Sequence, residues 1–324
     1  MLKGCYVITG ATGLMGTSAL MRLKDVPGVS VRAIWHKRDP FVLADNIRYL
    51  KADLTDAGET LAAFKGGDYL LNFAGVLMTA PVLAVNPVRP LTTNLILNLR
   101  MLEGAYAAGI KKVIFIGSST GYPPRDTALG EEEMFREDPS PPYFALGWMF
   151  RYAETLCRLY ATKLKEPLSV AVLRPSTIYG EYEDFDPATS HMLPALIAKV
   201  ASRQDPVQVW GSPELKRDLV HADDVLEACL LALAAPVPYQ VYNVAHGTEY
   251  SVTELLRMIM DEDGWPQGRA EFVSDRPVTG GRRVLDTTLI RRELGFHPRV
   301  DMATGIRRML RFYKSAAADK GTCT

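Results

Sequence analysis

Long apolar runs are missing from this chain. No stretch of its 324 residues approaches the length that a membrane-crossing helix needs, so no membrane partner is expected. Cysteine is scarce: Cys5, Cys157, Cys229 and Cys323 lie far apart and form no CxxC pair. That excludes a metal-ligand spacing and a disulfide framework, and suits reduced thiols in a cytoplasmic protein. Charge imbalance is absent as well. Equal numbers of basic and acidic residues, 37 of each, give a formal net charge of zero, and no nucleic-acid partner is expected. The sequence has no internal repeat and no Pro/Gly/Ser linker. An apolar segment follows Met1 almost at once, which leaves no room for a signal peptide.

What is present is alternation. "GCYVITG" (4–10), "VSVRAIW" (29–35), "IRYLKADL" (47–54), "DYLLNFAG" (68–75), "KKVIFIGSS" (111–119) and "LSVAVLRP" (168–175) read as strands. Between them, 14–24, 56–64, 87–109 and 143–165 carry helical spacing. Near-continuous apolar strands alternating with helices predict a parallel sheet buried on both faces. The expected fold is α/β, a Rossmann-type doubly wound sheet with a smaller mixed α/β lobe over its strand ends. Residues 1–175 and 219–245 are assigned to the dinucleotide-binding unit, and 176–218 and 246–324 to the substrate-binding lobe. In the later part, helices are expected near 188–202, 222–234, 251–262 and 303–315, with strands at "VQVWG" and "YQVYNVA" (239–245).

"TGATGLMG" places Gly10, Gly13 and Gly16 between the first strand and the first helix. The tight turn needs a residue without Cβ, a diphosphate must approach the backbone, and the helix must pack closely on its strand. The helix start then offers free N–H groups and partial positive charge to phosphate. At the end of the second strand, "WHKRDP" puts His36, Lys37 and Arg38 where an acidic residue would hold the ribose of NAD. Cations there suit a 2′-phosphate, so NADP is expected over NAD; a solvated basic turn is the competing reading. Asp53 either accepts from the adenine amino group or caps the next helix.

"TGATGLMG", "ADL" at 52–54, "NFAG" at 72–75, "IGSST" at 116–120, Tyr143, "LRPSTIYG" at 173–180 and "RDLVHADD" at 217–224 occur in that order. The set resembles the extended short-chain dehydrogenase/reductase family over nearly the whole chain. "IYGEYEDFDPATSHMLPALIAKV" (178–200) and "VWGSPELKRDLVHADD" (209–224) are similar to the GDP-L-fucose synthase branch of its nucleotide-sugar reductases and epimerases. The resemblance implies hydride transfer between a nicotinamide and a sugar carbon, with a nucleotide sugar, suggested to be a GDP-sugar, as substrate. It implies cofactor contacts at Thr12, Leu14, Met15, Leu54, Ala74, Gly75, Tyr143 and Pro175 besides the glycines, His36, Lys37, Arg38 and Asp53. Tyr143 would serve as general acid/base, with Ser118 on the reacting oxygen.

The chain departs from that pattern at three points. The family carries a Lys four residues after its Tyr, yet position 147 is Gly. The Cys and His of fucose synthases are matched by Thr120 and Tyr182, so a fucose-type double epimerisation is not expected. Thr120 is similar to the residue that C4 epimerases have there. An acidic pair marks the dehydratase branch, and "TGY" stands in its place. Arg151, two turns past Tyr143 on one helix, is a candidate substitute cation, against the ordinary reading of a surface arginine. A one-turn insertion is the alternative, with Tyr143 ahead of the helix proper.

On the substrate side, Arg217 suits a diphosphate as a planar bidentate donor. Trp210 and Val209 either wall a base pocket or form a core strand. "RPVTGGRR" (276–283) offers Arg276, Arg282 and Arg283 as a second phosphate clamp or as a solvated basic loop. His191 reads as a hydrogen-bonded helix-start residue. Helices 87–109 and 143–165 carry surplus apolar residues, and the family pairs these helices across a two-fold axis, so a homodimer is expected. A binding-only regulator of the same fold is the reading from a different class.

Overall fold

The computed structural model describes residues 3–273 and 283–321. In chain order its elements are β1 (Gly4–Thr9), α1 (Leu14–Leu23), β2 (Val29–Trp35), β3 (Ile47–Lys51), α2 (Ala57–Phe64), β4 (Tyr69–Asn72), α3 (Ala80–Val85), α4 (Val88–Ala107), β5 (Lys112–Ile116), α5 (Phe144–Thr162), β6 (Ser169–Pro175) and β7 (Thr177–Tyr179). Then come α6 (Met192–Ala201), β8 (Val207–Trp210), β9 (Lys216–His221), α7 (Ala222–Ala234), β10 (Tyr239–Val244), β11 (Glu249–Ser251), α8 (Val252–Glu262), β12 (Ala270–Val273), α9 (Thr288–Leu294) and α10 (Met302–Gly321).

Seven strands form one sheet in the order β10-β6-β5-β4-β1-β2-β3, parallel throughout. Period-2 side chains explain why it is covered on both faces. Tyr6, Ile8, Val31, Ala33, Leu71 and Leu173 point into one apolar cluster with α1, α7 and α9. Their neighbours Val7, Ile34, Leu70, Val113, Phe115 and Val172 point into another with α2, α4 and α5. The smaller lobe holds a three-stranded sheet (β11-β9-β7) and the pair β12-β8, packed with α6, α8 and α10.

Three local outcomes differ from the sequence expectation. The helix expected from 188 starts at Met192, because Asp184 and Asp186 accept from the backbone N–H groups of Asp186 and Ala188 and wind 184–190 into turns. Ile290 and Phe296, assigned from sequence to the small lobe, are buried in the large lobe's core against α7 and β10. The last helix extends past 315 to residue 321.

Behind the ends of β5 and β6 lies a buried polar hub. Arg174, 2% exposed, makes a two-pronged bond to Glu154 of α5, its Nε at 2.9 Å. Its Nη1 donates to the Tyr122 hydroxyl and to the Glu131 carbonyl, both at 2.7 Å. Tyr122 donates onward to Asn243 of β10 at 2.6 Å. Asn243 in turn donates to the carbonyls of Leu129 (2.8 Å) and Asp286 (3.0 Å). Burial alone would depress the guanidinium, but Glu154 and Tyr122 outweigh it and hold its pKa above the ordinary value. Removing one partner of such a pair strands the other charge in the core. Arg174→Met is therefore expected to destabilise the fold by about 3–5 kcal/mol, and adding Glu154→Leu to recover part of that, in denaturant unfolding.

Candidate functional site

A cleft of about 990 Å³ opens along the carboxyl ends of the large sheet and continues under the small lobe. It starts at the glycine loop. Gly10 has φ +61°, and a Cβ on it would lie 2.7 Å from the Phe73 carbonyl oxygen. A Cβ on Gly16 would lie 2.1 Å from the Gly10 oxygen, so this glycine is needed for helix packing; it does not line the cleft, contrary to its expected cofactor contact. Gly13 faces the open side and begins α1 with no side-chain cap. The first-turn N–H groups of α1 are thus free of a competing side chain at a point where backbone meets the cleft. That combination fits the diphosphate of a dinucleotide.

His36, Lys37 and Arg38 line the same end, and Arg38 Nη1 reaches back to the Thr12 carbonyl at 3.4 Å. Asp53 is in the wall, with one carboxylate oxygen accepting from Thr55 N (2.9 Å) and Oγ1 (2.7 Å). Those bonds, aided by His36 and Lys37, hold its carboxyl below the ordinary range. It does not cap α2; Asp56 does, accepting from Glu59 N. Thr12, Leu14, Met15, Leu54, Ala74, Gly75 and Pro175 also line the cleft.

Midway, the end of β5 presents Ser118 and Thr120, their hydroxyls 2.9 Å apart. Tyr143 lies opposite in the wall, buried, in a single 3-10 turn over Pro141–Tyr143 that precedes α5. It is therefore ahead of the helix proper. Gly147 faces away from the cleft, because a Cβ there would sit 2.6 Å from Pro139 Cβ and 2.7 Å from the Thr120 carbonyl oxygen. The α5 residues that do face the cleft are Leu146 and Phe150, four apart and both apolar. Sequence reasoning missed this pair; its signal was the alternative register in which one turn is inserted after Tyr143.

Arg151 is not the substitute cation. It is 2% exposed and outside the cleft lining; Nε donates to the Gly121 carbonyl at 2.8 Å and Nη2 to that of Glu137. Its guanidinium stacks on Trp148, 4.8 Å from the ring centroid. It fastens the 121–137 segment to α5, and burial pulls its pKa down.

The far end is built by the small lobe. Trp210, Arg217, Tyr182, His191 and Lys199 line it. Val209 belongs to the lobe's core and also reaches the wall. His191 begins α6 and its Nδ1 lies 2.9 Å from Glu183 Oε1. Arg276 and Arg282 lie outside the described residues. Arg283 does not: its guanidinium carbon sits 4.3 Å from the Tyr143 ring centroid, and its Nε and Nη1 are buried with no hydrogen-bond partner. Among the described residues no group of His, Cys, Asp or Glu could hold a metal ion, and no helix is long and apolar enough to cross a membrane.

A glycine-loop cleft closed by a second lobe defines a nucleotide-dependent enzyme class, and the chain belongs to the NAD dependent epimerase/dehydratase family, whose model matches residues 6–245. It is 27% identical over 320 residues to a dTDP-4-dehydro-6-deoxy-D-allose reductase of Streptomyces bikiniensis, covering 95% of each chain. It is 24% identical to a GDP-L-colitose synthase of Yersinia pseudotuberculosis, covering 95% of this chain and 97% of that one. In fold it is similar to a UDP-glucose 4-epimerase of Thermotoga maritima solved with UDP-glucose (TM-score 0.83, 22% identity, 97% and 99% coverage).

The clash at Gly147 makes an expectation that reverses the usual helix rule. Alanine normally stabilises a helix over glycine. Here Gly147→Ala is expected to destabilise by about 1–3 kcal/mol, as overpacking does, and Gly147→Lys by more. Equilibrium unfolding of both variants measures it; an alanine variant as stable as wild type would show that position 147 has room.

Proposed function

We propose that the chain is an NADP(H)-dependent oxidoreductase of a nucleotide-activated sugar, a 4-keto reductase or C4 epimerase acting on a GDP-sugar. The observation that carries this is the single cleft joining the uncapped glycine loop to Arg217, with Ser118, Thr120 and Tyr143 between. The family match supports the class. Relatives whose names specify a keto reductase and a GDP-sugar synthase support the substrate type.

In this reading Gly10, Gly13 and the start of α1 hold the dinucleotide's diphosphate, while Lys37 and Arg38 take the 2′-phosphate. Bound there, the reduced nicotinamide supplies the hydride. Ser118 and Thr120 orient the reacting oxygen, Tyr143 carries the proton, and Arg217, with Arg276, takes the sugar's diphosphate while Trp210 flanks its base. Leu146 and Phe150 have no group that hydrogen-bonds a ribose, so a bound dinucleotide would be held mainly through its phosphates and would exchange between turnovers. That favours the reductase over an epimerase, which must retain its cofactor. The same two residues are the observation favouring a second reading, a binding-only regulator, since neither can move a proton.

Incubation with NADPH and a panel of 4-keto nucleotide sugars is expected to consume reduced-nicotinamide absorbance. Thermal melts should rise with both NADP(H) and nucleotide sugar. Arg38→Ala should weaken NADP(H) about 10- to 100-fold and NAD(H) little, the scale of a lost charge-assisted contact. Stabilisation by NADP(H) alone, with no turnover, would select the regulator.

The exposed faces of α4 and α5 bear Ile96, Leu99, Tyr106, Phe144, Tyr152 and Leu159. That is more apolar surface than a lone helix pair leaves in water, and it supports a homodimer through these helices. Light scattering at micromolar concentration should give twice the mass of one chain; a monomer mass would exclude the dimer.

A further inference from the structure

If Tyr143 is the proton donor, something other than α5 must stabilise the charge it leaves behind. The helix presents only Leu146 and Phe150 to the cleft, Gly147 admits no side chain, and Arg151 is committed to backbone carbonyls. The cation that does meet Tyr143 comes from the far end of the chain. The Arg283 guanidinium carbon lies over the ring, 4.3 Å from its centroid, within the range of a cation–π contact. The Nε and Nη1 donors of Arg283 are buried without hydrogen-bond partners. Both Arg283 and Tyr143 line the cleft, and Arg283 and Arg217 together border a small annex beside Ser119, Ser176 and Thr177.

The position of Arg283 is fixed by backbone. Leu129 N–H donates to the Val284 carbonyl at 2.9 Å, and Asp286 N–H donates to the Leu129 carbonyl at 3.0 Å. Asn243 holds the Asp286 carbonyl from the other side. A lysine on α5 and an arginine entering from residues 283–286 are thus alternative ways to bring one positive charge to the same ring.

We propose that Arg283 is the positioning residue for Tyr143, holding the ring toward Ser118 and Thr120 and stabilising the phenolate, in the role that an α5 lysine would otherwise fill. This rests on the oxidoreductase reading. In the reductive direction the Tyr143 hydroxyl gives its proton to the carbonyl oxygen as the carbonyl carbon receives the hydride of the reduced dinucleotide. The carbonyl would become an alcohol, with a bound reduced dinucleotide as the hydride source that is oxidised in exchange, and solvent would reprotonate the phenolate under Arg283.

The competing role is a phosphate clamp, and a double-mutant cycle separates the two. Arg283→Met keeps the stem and removes the charge; Arg283→Lys keeps the charge; each is made in the wild type and in Tyr143→Phe, with thermal melts confirming the fold. Arg283→Met is expected to lower kcat about 10²-fold, the scale of a misplaced reacting group, with Arg283→Lys recovering part of it. In the Tyr143→Phe background Arg283→Met should cost little more, because residues acting as a unit are not additive. Calorimetry with the free nucleoside diphosphate should show less than about a threefold change in Kd, under 0.7 kcal/mol at tenfold per 1.4 kcal/mol. An unchanged kcat with a raised KM and a weakened diphosphate Kd would make Arg283 a clamp and overturn the proposal, as would a full additional loss in the Tyr143→Phe background. A wild-type protein that turns over no member of the panel would instead remove the oxidoreductase reading, and this proposal with it.

Discussion

The buried guanidinium of Arg174 is the constraint on which the segments behind the cleft depend. It sits near the end of β6, the strand next to the sheet's β10 edge, where the sheet stops and backbone polar groups would otherwise be left without partners. By holding Glu154, Tyr122 and the Glu131 carbonyl at once, it joins α5 to the segment 122–131. Asn243 extends the hub to Leu129 and Asp286. The connecting segments that carry Tyr143 and Arg283 both run past this point. An ion pair so deep gains little net stability over a well-packed apolar pair. What it does supply is a fixed arrangement, because each donor has one satisfied geometry and alternatives leave a charge unpaired.

A second constraint is steric and lies one layer nearer the cleft. Pro139 and the Thr120 carbonyl press on α5 at Gly147, so close that only a hydrogen fits. This contact sets the rotation of the helix, and the rotation decides that Leu146 and Phe150 face the cleft. The 3-10 turn at Pro141–Tyr143 follows from the same packing: two prolines suit the first turn of a helix, and the tighter winding turns Tyr143 inward ahead of the regular helix. Arg151, one turn further on, is then directed at the carbonyls of Gly121 and Glu137. One close approach thus explains both the absent lysine and the failure of the nearest arginine to replace it.

Much of the fold was legible because it rests on periodicity. The strands of the large sheet alternate between two apolar clusters, and each of the six expected in the first 175 residues is there. The glycine loop was legible because its three glycines have separate steric reasons, although only Gly10 and Gly13 reach the cleft and Gly16 serves packing alone. Helix register near Tyr143 was not legible. It depends on contacts of Gly147 with Pro139 and the Thr120 carbonyl, which lie outside the helix pattern itself, and hydrophobic spacing cannot report a backbone carbonyl. Arg283 could be named as part of a basic loop, but its partner Tyr143 is far off in sequence, and backbone contacts of residues 284–286 with Leu129 and Asn243 set its place.

Net charge illustrates the same limit from another side. A balanced chain gives no global sign of an anionic partner, yet cations line both ends of the cleft: His36, Lys37 and Arg38 beside Asp53 at one, and Lys199, Arg217 and Arg283 beside Glu183 and Asp184 at the other. Arg217 and Arg283 are near enough to disfavour each other, and burial with that repulsion pulls the Arg217 pKa down, while Tyr143 pulls it up. Two like charges in a half-enclosed space cost free energy unless an anion joins them. Asp218 shares the small annex with both arginines and accepts from Ser176 Oγ and the His246 and Gly247 N–H groups, while the buried Nε and Nη1 of Arg283 have no partner. The folded chain thus places cationic side chains at both ends of the cleft. Tyr143 lies between them, under a guanidinium that its own helix does not provide.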